Sequence, residues 1–304
     1  MFYNVENTFD IYNDSITSDD EFLPDGDRRW NVSRYKNKIS SIYKTIVLAG
    51  GWSPPEVIGL CEVENRKVIQ DVINTTHLSE YSYDVIHQDS PDPRGIDVCL
   101  MYRKDCLKLC SSAFLKPAGE YVFKSRFVLY AKMVHVSDTI HFFINHWPSR
   151  RGGILSSQDN RLVIASMVRE KADSICKSFP ASKIIITGDF NCNPDDPEMR
   201  ILCNPENGLK NYYNLSDSLK PGTGTYRYKG VWEKFDQVII TKSFFDNSEG
   251  LKAGDDALQI IYADFLLTED PVYPGKSPNS TFRGFTYKGG VSDHLPVILN
   301  LRQE

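Results

Sequence analysis

Compact polar side chains recur where apolar, strand-like segments of the chain begin or end. Asn4 closes MFYN, Glu62 closes VIGLCE and Asp189 closes IIITGD. The other members of this set are Asn145, His146, Asn191, Asp236, Asp293 and His294. Carboxylate and amide oxygens are ligands that Mg²⁺ prefers, and imidazole exchanges protons near neutral pH. The set is therefore typical of a metal-assisted hydrolytic site.

A doubly basic loop follows one of these strand ends. The segment FFINHWPSRRGG passes from an apolar run to Asn145 and His146, and then to Arg150 and Arg151 before two glycines. The residues alone leave two interpretations open. The segment is either an ordinary solvated exit from a strand or the rim of an anion site with a titratable group at its edge.

Composition places the chain among soluble globular proteins. It has 304 residues, of which 41% are hydrophobic and 25% are charged. The net charge of −5 excludes a general attraction to nucleic acid, so contact with a polyanion must depend on local basic patches. Several of the 7 cysteines lie in apolar runs, which indicates buried thiols. Cys106 and Cys110 lack a second pair with ligand spacing, so a zinc site is not expected there.

Targeting signals are not visible in the sequence. No apolar run reaches the roughly 18–20 residues that a transmembrane helix needs. The chain opens with MFYNVENTFD, which predicts a strand running into a turn and not a signal peptide. We therefore expect a soluble protein whose compartment is not determined by this end, with export only where a leader precedes Met1.

Hydrophobic periodicity predicts few helices and many strands. Amphipathic helices are expected over 34–48 and 159–178. Strands are expected over 56–62, 96–103, 126–136, 140–146, 183–189, 235–241 and 295–301. Several of these strands are apolar on both faces, which favours an α/β or α+β sandwich. Residues 246–290 are expected to be mostly loops, with one strand near 258–267.

Seven motifs, taken in their order, resemble one enzyme superfamily. FYNVEN, GLCEVEN, RGIDVCLMYR, INHWPSR, TGDFN, KFDQVII and SDHLPV are similar to the endonuclease/exonuclease/phosphatase superfamily, which includes pancreatic deoxyribonuclease and the abasic-site endonucleases. The likeness runs from about residue 2 to 301. It implies a single domain over 1–304 with a deoxyribonuclease-I-like, four-layer α/β sandwich. In that fold two packed, mainly antiparallel β-sheets are flanked by helices, and the active site lies at one edge.

The resemblance also implies a metal side of the site. Asn4, Glu62 and Asp293 are expected near the cation, with Glu62 as the principal ligand. The expected cofactor is Mg²⁺, with Mn²⁺ as the alternative. Asp189 is expected to align and deprotonate the attacking water, and Asn191 to hold a phosphate oxygen.

The remaining residues are assigned to the phosphoryl group and the rest of the substrate. His294 is expected to contact the phosphoryl group, held in one tautomer by Asp236. His146 is expected on the leaving-group side, where it can protonate the leaving oxygen. The residues expected to bind substrate are Arg94, Asn145, Arg150 and Arg151.

The resulting hypothesis is a Mg²⁺-dependent phosphodiesterase, with a nuclease acting on DNA or RNA as the first choice. The alternative is a phosphatase or phosphodiesterase that acts on a small or lipid-linked phosphate. A binding protein that kept the fold and lost turnover is disfavoured, because every mapped catalytic position retains a competent residue. The sequence does not determine the oligomeric state.

Overall fold

The structure is a computed structural model that describes residues 1–118, 124–150, 157–204, 211–246 and 250–303. The helices are α1 (Val32–Gly50), α2 (Arg66–Asn74), α3 (Gln158–Ser178) and α4 (Pro197–Cys203). The strands are β1 (Phe2–Thr8), β2 (Val57–Val63), β3 (Tyr83–His87), β4 (Asp97–Arg103), β5 (Lys108–Leu115), β6 (Val128–His135), β7 (Asp138–His146), β8 (Lys183–Asp189), β9 (Tyr212–Asn214), β10 (Tyr226–Tyr228), β11 (Val231–Glu233), β12 (Asp236–Thr241), β13 (Leu251–Ile260), β14 (Leu267–Glu269), β15 (Lys276–Pro278), β16 (Phe282–Arg283), β17 (Thr286–Tyr287) and β18 (Val297–Gln303).

Two mixed sheets form the centre of the molecule. The first sheet has the order β13-β18-β1-β2-β4-β3, and only the β1–β2 pairing is parallel among its described strands. The second has the order β5-β6-β7-β8-β12-β9, and there the β7–β8 pairing is the parallel one among the strands that the structure describes. The prediction of two mainly antiparallel sheets is confirmed.

The sheets pack face to face, and helices cover their outer surfaces. The core between the sheets includes Phe2, Leu100, Phe142 and Ile185. Helices α1 and α2 pack on the first sheet through the cluster Ile39, Ile42, Ile46, Val68, Ile69 and Val72. Helices α3 and α4 cover the second sheet through the cluster Ile164, Val168, Ala172, Met199 and Leu202. Each fully buried aliphatic side chain stabilises the fold by about 1.5–3 kcal/mol, so these three clusters hold the four layers together.

The parallel pairs decide where the polar residues meet. Strands β1 and β2 end at the same edge of the first sheet, and β7 and β8 end at the same edge of the second. Within the second sheet, His146 pairs with Asp189, and Asp189 pairs with Asp236 on the antiparallel strand β12. Asn4 pairs with Cys61, directly before Glu62. Strand register thus brings Asn4, Glu62, His146, Asp189 and Asp236 to one edge of the sandwich.

One part of the predicted element map is wrong. The described residues of 246–290 contain β13, the ten-residue edge strand of the first sheet, and the two short hairpins β14-β15 and β16-β17. The strand predicted near 258–267 begins at Leu251 and ends at Ile260. Its pairing with β18 is irregular between Ala253 and Leu258. An irregular, solvent-facing edge strand lacks the apolar alternation from which strands are recognised.

The buried thiols predicted for the cysteines are found only in part. All seven cysteines are free thiols. Cys61, Cys99 and Cys192 are buried as predicted, whereas Cys110 is exposed. No described helix is long and apolar enough to cross a membrane.

Candidate active site

Backbone irregularities in two neighbouring strands place the first carboxylate. Glu62 has φ 63°, and the pairing of β2 with β4 shifts between Cys61 and Val63. The left-handed conformation costs a non-glycine residue about 1–2 kcal/mol. The backbone N–H of Asn7, which itself has φ 42°, donates to Glu62 Oε2 at 2.8 Å. This local strain is therefore offset by a charge-assisted hydrogen bond that orients the Glu62 carboxylate.

Asn4 links the carboxylates of the two sheets. Its Nδ2 donates to Asp189 Oδ2 at 3.0 Å and lies 3.4 Å from Glu62 Oε1. Its Oδ1 accepts the backbone N–H of Glu6 at 2.9 Å. In this arrangement the Asn4 amide separates two carboxylates and contributes a hydrogen bond, and its predicted place near a cation stays a prediction.

Asp236 and His294 form a buried pair on the opposite side. His294 Nδ1 lies 2.7 Å from Asp236 Oδ2, and His294 Nε2 lies 3.8 Å from Asp189 Oδ2. Burial alone would lower the pKa of His294, but the carboxylates of Asp236 and Asp189 outweigh it and raise that pKa well above its ordinary value. His294 is therefore an imidazolium at neutral pH, with Nδ1–H directed at Asp236.

Asp189 lies at the centre of the group. Burial, reinforced by the charge of Asp236, raises the pKa of Asp189 to about 7, although the His294 imidazolium acts against this rise. The backbone N–H of Asn191 donates to Asp189 Oδ1 at 2.9 Å, and the Asn191 side chain donates to the Trp147 carbonyl at 3.0 Å. A carboxylate of pKa near 7 is suited to accept a proton from water at neutral pH.

His146 differs from His294 in its protonation. Its Nε2 lies 3.7 Å from both Glu62 Oε1 and Asp189 Oδ2. Burial, with the guanidinium groups of Arg126 and Arg94, lowers the pKa of His146 well below its ordinary value. A neutral imidazole donates a hydrogen bond but holds its proton tightly. The general-acid role predicted for His146 needs the protonated ring, and it stays a prediction.

Glu6 and Asp293 form a second acidic group near Glu62. Burial, with the charge of Asp293 next in size, raises the pKa of Glu6 to about 8. Glu6 Oε2 accepts the backbone N–H of Thr281 at 2.6 Å. Burial also raises the pKa of Asp293, and the charge of Glu62 adds to that rise. Glu6 was missed from the sequence, although it stands two residues after Asn4 within FYNVEN.

Lys38 supplies a buried positive charge to this acidic group. Its ammonium donates to Thr281 Oγ1 at 2.5 Å and to the Val291 carbonyl. Burial lowers the pKa of Lys38 to about 8, against the charges of Glu6 and Asp293. The sequence contains no signal for this role, because a lysine in an amphipathic helix ordinarily reaches solvent.

The acidic groups fit a divalent cation. Burial and mutual repulsion raise the pKa values of Glu6 and Asp293, and the charge of Glu62 contributes to both shifts. A bound cation would relieve that repulsion, and hard carboxylate oxygens are its natural ligands. The ligand atoms of Asp189, Asp236 and His294 also lie within 4.8 Å of one another. There, however, the short hydrogen bond between Asp236 and His294 explains the closeness.

Asn145 is not brought to the site. Its Nδ2 donates to the carbonyls of Phe143 and Thr187, each at 3.2 Å, and its Oδ1 accepts Trp147 Nε1 at 3.0 Å. The side chain is fully buried. The predicted substrate-binding role is therefore replaced by a structural one, in which Asn145 fixes Trp147 beneath the site.

Two arginines share one carboxylate near His146. Asp92 pairs with Arg94 at 3.3 Å and with Arg126 at 2.8 Å, and Arg126 Nη2 donates to the Trp147 carbonyl at 2.6 Å. The Arg94 side chain keeps 35% of its surface exposed, so it remains open to an anion. Arg126 was missed from the sequence, because its partner lies 34 residues earlier in the chain.

Arg150 is held by the protein around it. Its Nε donates to the Asn191 carbonyl at 2.8 Å, and its Nη2 pairs with Asp196. Its guanidinium carbon lies 4.9 Å from the centre of the Phe235 ring. Arg151, also predicted to bind substrate, lies outside the described residues.

One sequence family and several solved structures are similar to this chain. The sequence model of a family described as endonuclease/exonuclease/phosphatase matches residues 1–303. A humanized D. rerio TDP2 has a similar structure, with TM-score 0.60, 15% identity and coverage of 90% of this chain and 94% of that chain. A mannosyl-6-phosphatase, Bt3783, of Bacteroides thetaiotaomicron VPI-5482 is similar with TM-score 0.58, 16% identity and coverage of 99% and 98%. The human Nocturnin catalytic domain is similar with TM-score 0.56, 16% identity and coverage of 89% and 87%.

A search of curated proteins gave no significant match. The solved structures show a shared fold, and the match over residues 1–303 shows the family. Members of this family are metal-dependent phosphoric ester hydrolases. The chain belongs to the endonuclease/exonuclease/phosphatase family.

Proposed function

We propose that the protein is a Mg²⁺-dependent phosphodiesterase that uses Asp189 to activate water for in-line attack. One observation carries this proposal. The same oxygen, Asp189 Oδ2, lies 3.7 Å from the neutral His146 and 3.8 Å from the protonated His294. A base is thus flanked by a neutral hydrogen-bond donor on one side and by an imidazolium on the other. The base can accept a proton from water, and the imidazolium can stabilise the negative charge of the phosphoryl group.

Different residues of the chain carry out different parts of the proposed reaction. A bound Mg²⁺ supplies charge neutralisation for the phosphoryl oxygens and the leaving oxygen, and Glu62 and Asp293, with Glu6 behind them, would hold it. Asp189 accepts the proton of the attacking water, and the Asn191 N–H keeps its carboxylate oriented.

The two imidazoles act on the phosphoryl group and the leaving oxygen. The His294 imidazolium stabilises the anionic transition state and holds a proton for the leaving oxygen, while Asp236 maintains the charge and tautomer. His146 donates a hydrogen bond from Nε2 with its ring neutral.

A nucleic acid is the first substrate class to test. A TDP2 of D. rerio with this fold was solved with a single-strand DNA product. The half-exposed Arg94 beside His146 offers one contact to a neighbouring phosphate. Binding that tracks a nucleic-acid backbone would need several such cations.

A small phosphate ester is the second candidate, and two observations favour it. Arg28 pairs with Glu21 at 3.0 Å and lies over the Phe22 ring. Arg150 is likewise paired with Asp196, so the charges of these two arginines are balanced within the protein. The net charge of −5 acts in the same direction.

A substrate panel tests the proposal. We expect Mg²⁺-dependent hydrolysis of bis-(p-nitrophenyl) phosphate, abolished by EDTA and lowered about 100-fold or more in Asp189→Asn. Asp138→Asn is the matched control, because Asp138 pairs with Lys183 at 2.7 Å at the far end of β7. Cleavage of single-stranded DNA identifies a nuclease, and activity only on sugar phosphates identifies the second candidate. No hydrolysis of any phosphodiester or phosphomonoester in Mg²⁺ would contradict both.

A further inference from the structure

Four planar groups stack in sequence, and the last of them is the His294 ring of the Asp236–His294 pair. The His294 ring lies against the Tyr226 ring, with 4.9 Å between the ring centres and 36° between the planes. Tyr226 is stacked on Phe235 at 5.2 Å and 13°. The guanidinium carbon of Arg150 lies 4.9 Å from the centre of the Phe235 ring. We name Arg150, Phe235, Tyr226 and His294 the stacked column.

The backbone fixes the His294 end of the column. Tyr226 forms an isolated antiparallel bridge with His294, and the N–H of Leu295 donates to the Thr225 carbonyl at 2.7 Å. The N–H of Asp236 donates to Thr225 Oγ1 at 3.1 Å. The segment that carries the Tyr226 ring therefore also holds the main chain of both members of the catalytic pair.

The other end of the column is fixed by Arg150. Its Nε donates to the Asn191 carbonyl at 2.8 Å, and its Nη2 pairs with Asp196. Asp196 Oδ2 also accepts the backbone N–H of Asn193 at 2.7 Å. The guanidinium is thus engaged by the loop that follows Asp189, and its charge is balanced within the protein.

We propose that Arg150 and Tyr226 are positioning residues that hold the plane of the His294 imidazole through the stacked column. This inference rests on the proposed phosphodiesterase function. A single hydrogen bond to Asp236 fixes Nδ1 but leaves the ring free to turn about that bond. A ring packed on its face removes this freedom and keeps Nε2 directed at the reacting phosphoryl group. Arg150 is then not the substrate-gripping residue that its place in PSRRGG predicts.

Conservative substitutions separate positioning from substrate binding. Arg150→Lys keeps the charge and removes the planar group, whereas Tyr226→Leu removes the ring and Tyr226→Phe retains it. Because misplacement by about 1 Å can cost 100-fold in rate, we expect Arg150→Lys and Tyr226→Leu to lower kcat at least 10-fold. KM for bis-(p-nitrophenyl) phosphate should stay within about 2-fold, because the substrate contacts are unchanged. Tyr226→Phe should retain most of the wild-type kcat.

Arg169→Lys is the matched control. The guanidinium carbon of Arg169 lies 4.9 Å from the centre of the Tyr212 ring, and its Nε pairs with Asp173 at 2.8 Å. The geometry is that of Arg150, but Arg169 lies on α3, away from the site. We expect Arg169→Lys to leave both kcat and KM at wild-type values.

Two results would overturn the inference. One is an increase in KM at unchanged kcat in Arg150→Lys, which would make Arg150 a substrate contact. The other is an equal loss of kcat in Arg150→Lys and Arg169→Lys, which would reduce the effect to general destabilisation.

A readout without turnover separates the column from the proposed function. The His294 imidazole signals of ¹⁵N-histidine-labelled protein are assigned by comparison with His294→Ala. We expect Arg150→Lys and Tyr226→Leu to shift or broaden these signals, and Arg169→Lys to leave them unchanged. Unchanged signals in the first two variants would refute the column. A wild-type protein that hydrolyses no phosphodiester would refute the proposed function while these signals still decide the inference.

Discussion

Binding of Mg²⁺ should release protons, because two carboxyl groups at the site are protonated near neutral pH. The pKa of Asp189 is raised to about 7 and that of Glu6 to about 8, in each case chiefly by burial. A cation held by Glu62 and Asp293 favours the ionised form of neighbouring carboxyl groups and so lowers both pKa values. Its binding therefore displaces whatever protons these groups carry, and the apparent affinity must rise with pH.

The size of the effect follows from the two pKa values. At pH 7, Asp189 is about half protonated and Glu6 about nine-tenths protonated, so a cation that ionises both releases about 1.4 protons. The apparent association constant should then increase about 50-fold from pH 6 to pH 7 and about 10-fold from pH 7 to pH 8. In Glu6→Gln only the Asp189 proton remains, and the second increase should fall to about 2-fold.

Isothermal titration calorimetry measures this release directly. The protein is titrated with MgCl₂ at constant pH in buffers of different ionisation enthalpy, and the slope of the observed heat gives the number of protons released. Glu64→Gln is the matched control, because burial also raises the pKa of Glu64 to about 8. Its carboxylate accepts the Asp10 N–H and is not assigned to the cation. A release near zero at pH 7, or an affinity independent of pH, would refute the reasoning.

Three further outcomes are expected. Asp236→Asn should lower kcat by about 100- to 10,000-fold with little change in KM, because His294 loses its charge partner, and an effect below 10-fold in steady-state assays would contradict this. His146→Asn should slow the hydrolysis of esters with good and with poor leaving groups to a similar degree, because a neutral imidazole donates a hydrogen bond without giving up its proton. Rates for a series of esters with different leaving groups measure this. A loss confined to poor leaving groups would support the general-acid role. Asn145→Ala should destabilise the protein by about 1–3 kcal/mol in urea unfolding while KM is unchanged, since it strands the buried Trp147 N–H, and an increase in KM alone would return Asn145 to the substrate.

Polar residues at the ends of buried strands were the most predictable part of the site. Asp189 and Glu62 stand directly after apolar runs. Parallel pairing of β1 with β2, and of β7 with β8, brings the ends of the paired strands to one edge of each sheet. Asn145 and His146 show the limit of this reasoning. Neighbouring side chains in a strand point to opposite faces, so only one of the two could reach the site. The strand register that selects His146 is set by packing and is not visible in the local sequence.

Long-range partners could not be predicted. Lys38 lies on the apolar side of α1, and only the tertiary fold shows that its ammonium meets Thr281 and Val291. Tyr226 belongs to a short hairpin whose sequence carries no link to His294, 68 residues later. These residues contribute through contacts between distant segments, whereas periodicity and local spacing report only on the element in which a residue lies.

The site is divided between the two sheets, and side-chain hydrogen bonds connect the halves, one of them at their centre. Asn4 belongs to the first sheet, Asp189 to the second, and the 3.0 Å contact between them crosses the gap. Below it, the core between the sheets contains apolar side chains such as Phe2 and Ile185, which have no directional preference. A small slide of one sheet over the other would keep the core buried and yet separate the metal ligands from the base. The catalytic rate should therefore depend on sheet alignment more strongly than the free energy of unfolding does. Substitutions that loosen the shared core should abolish turnover in a protein that is still folded.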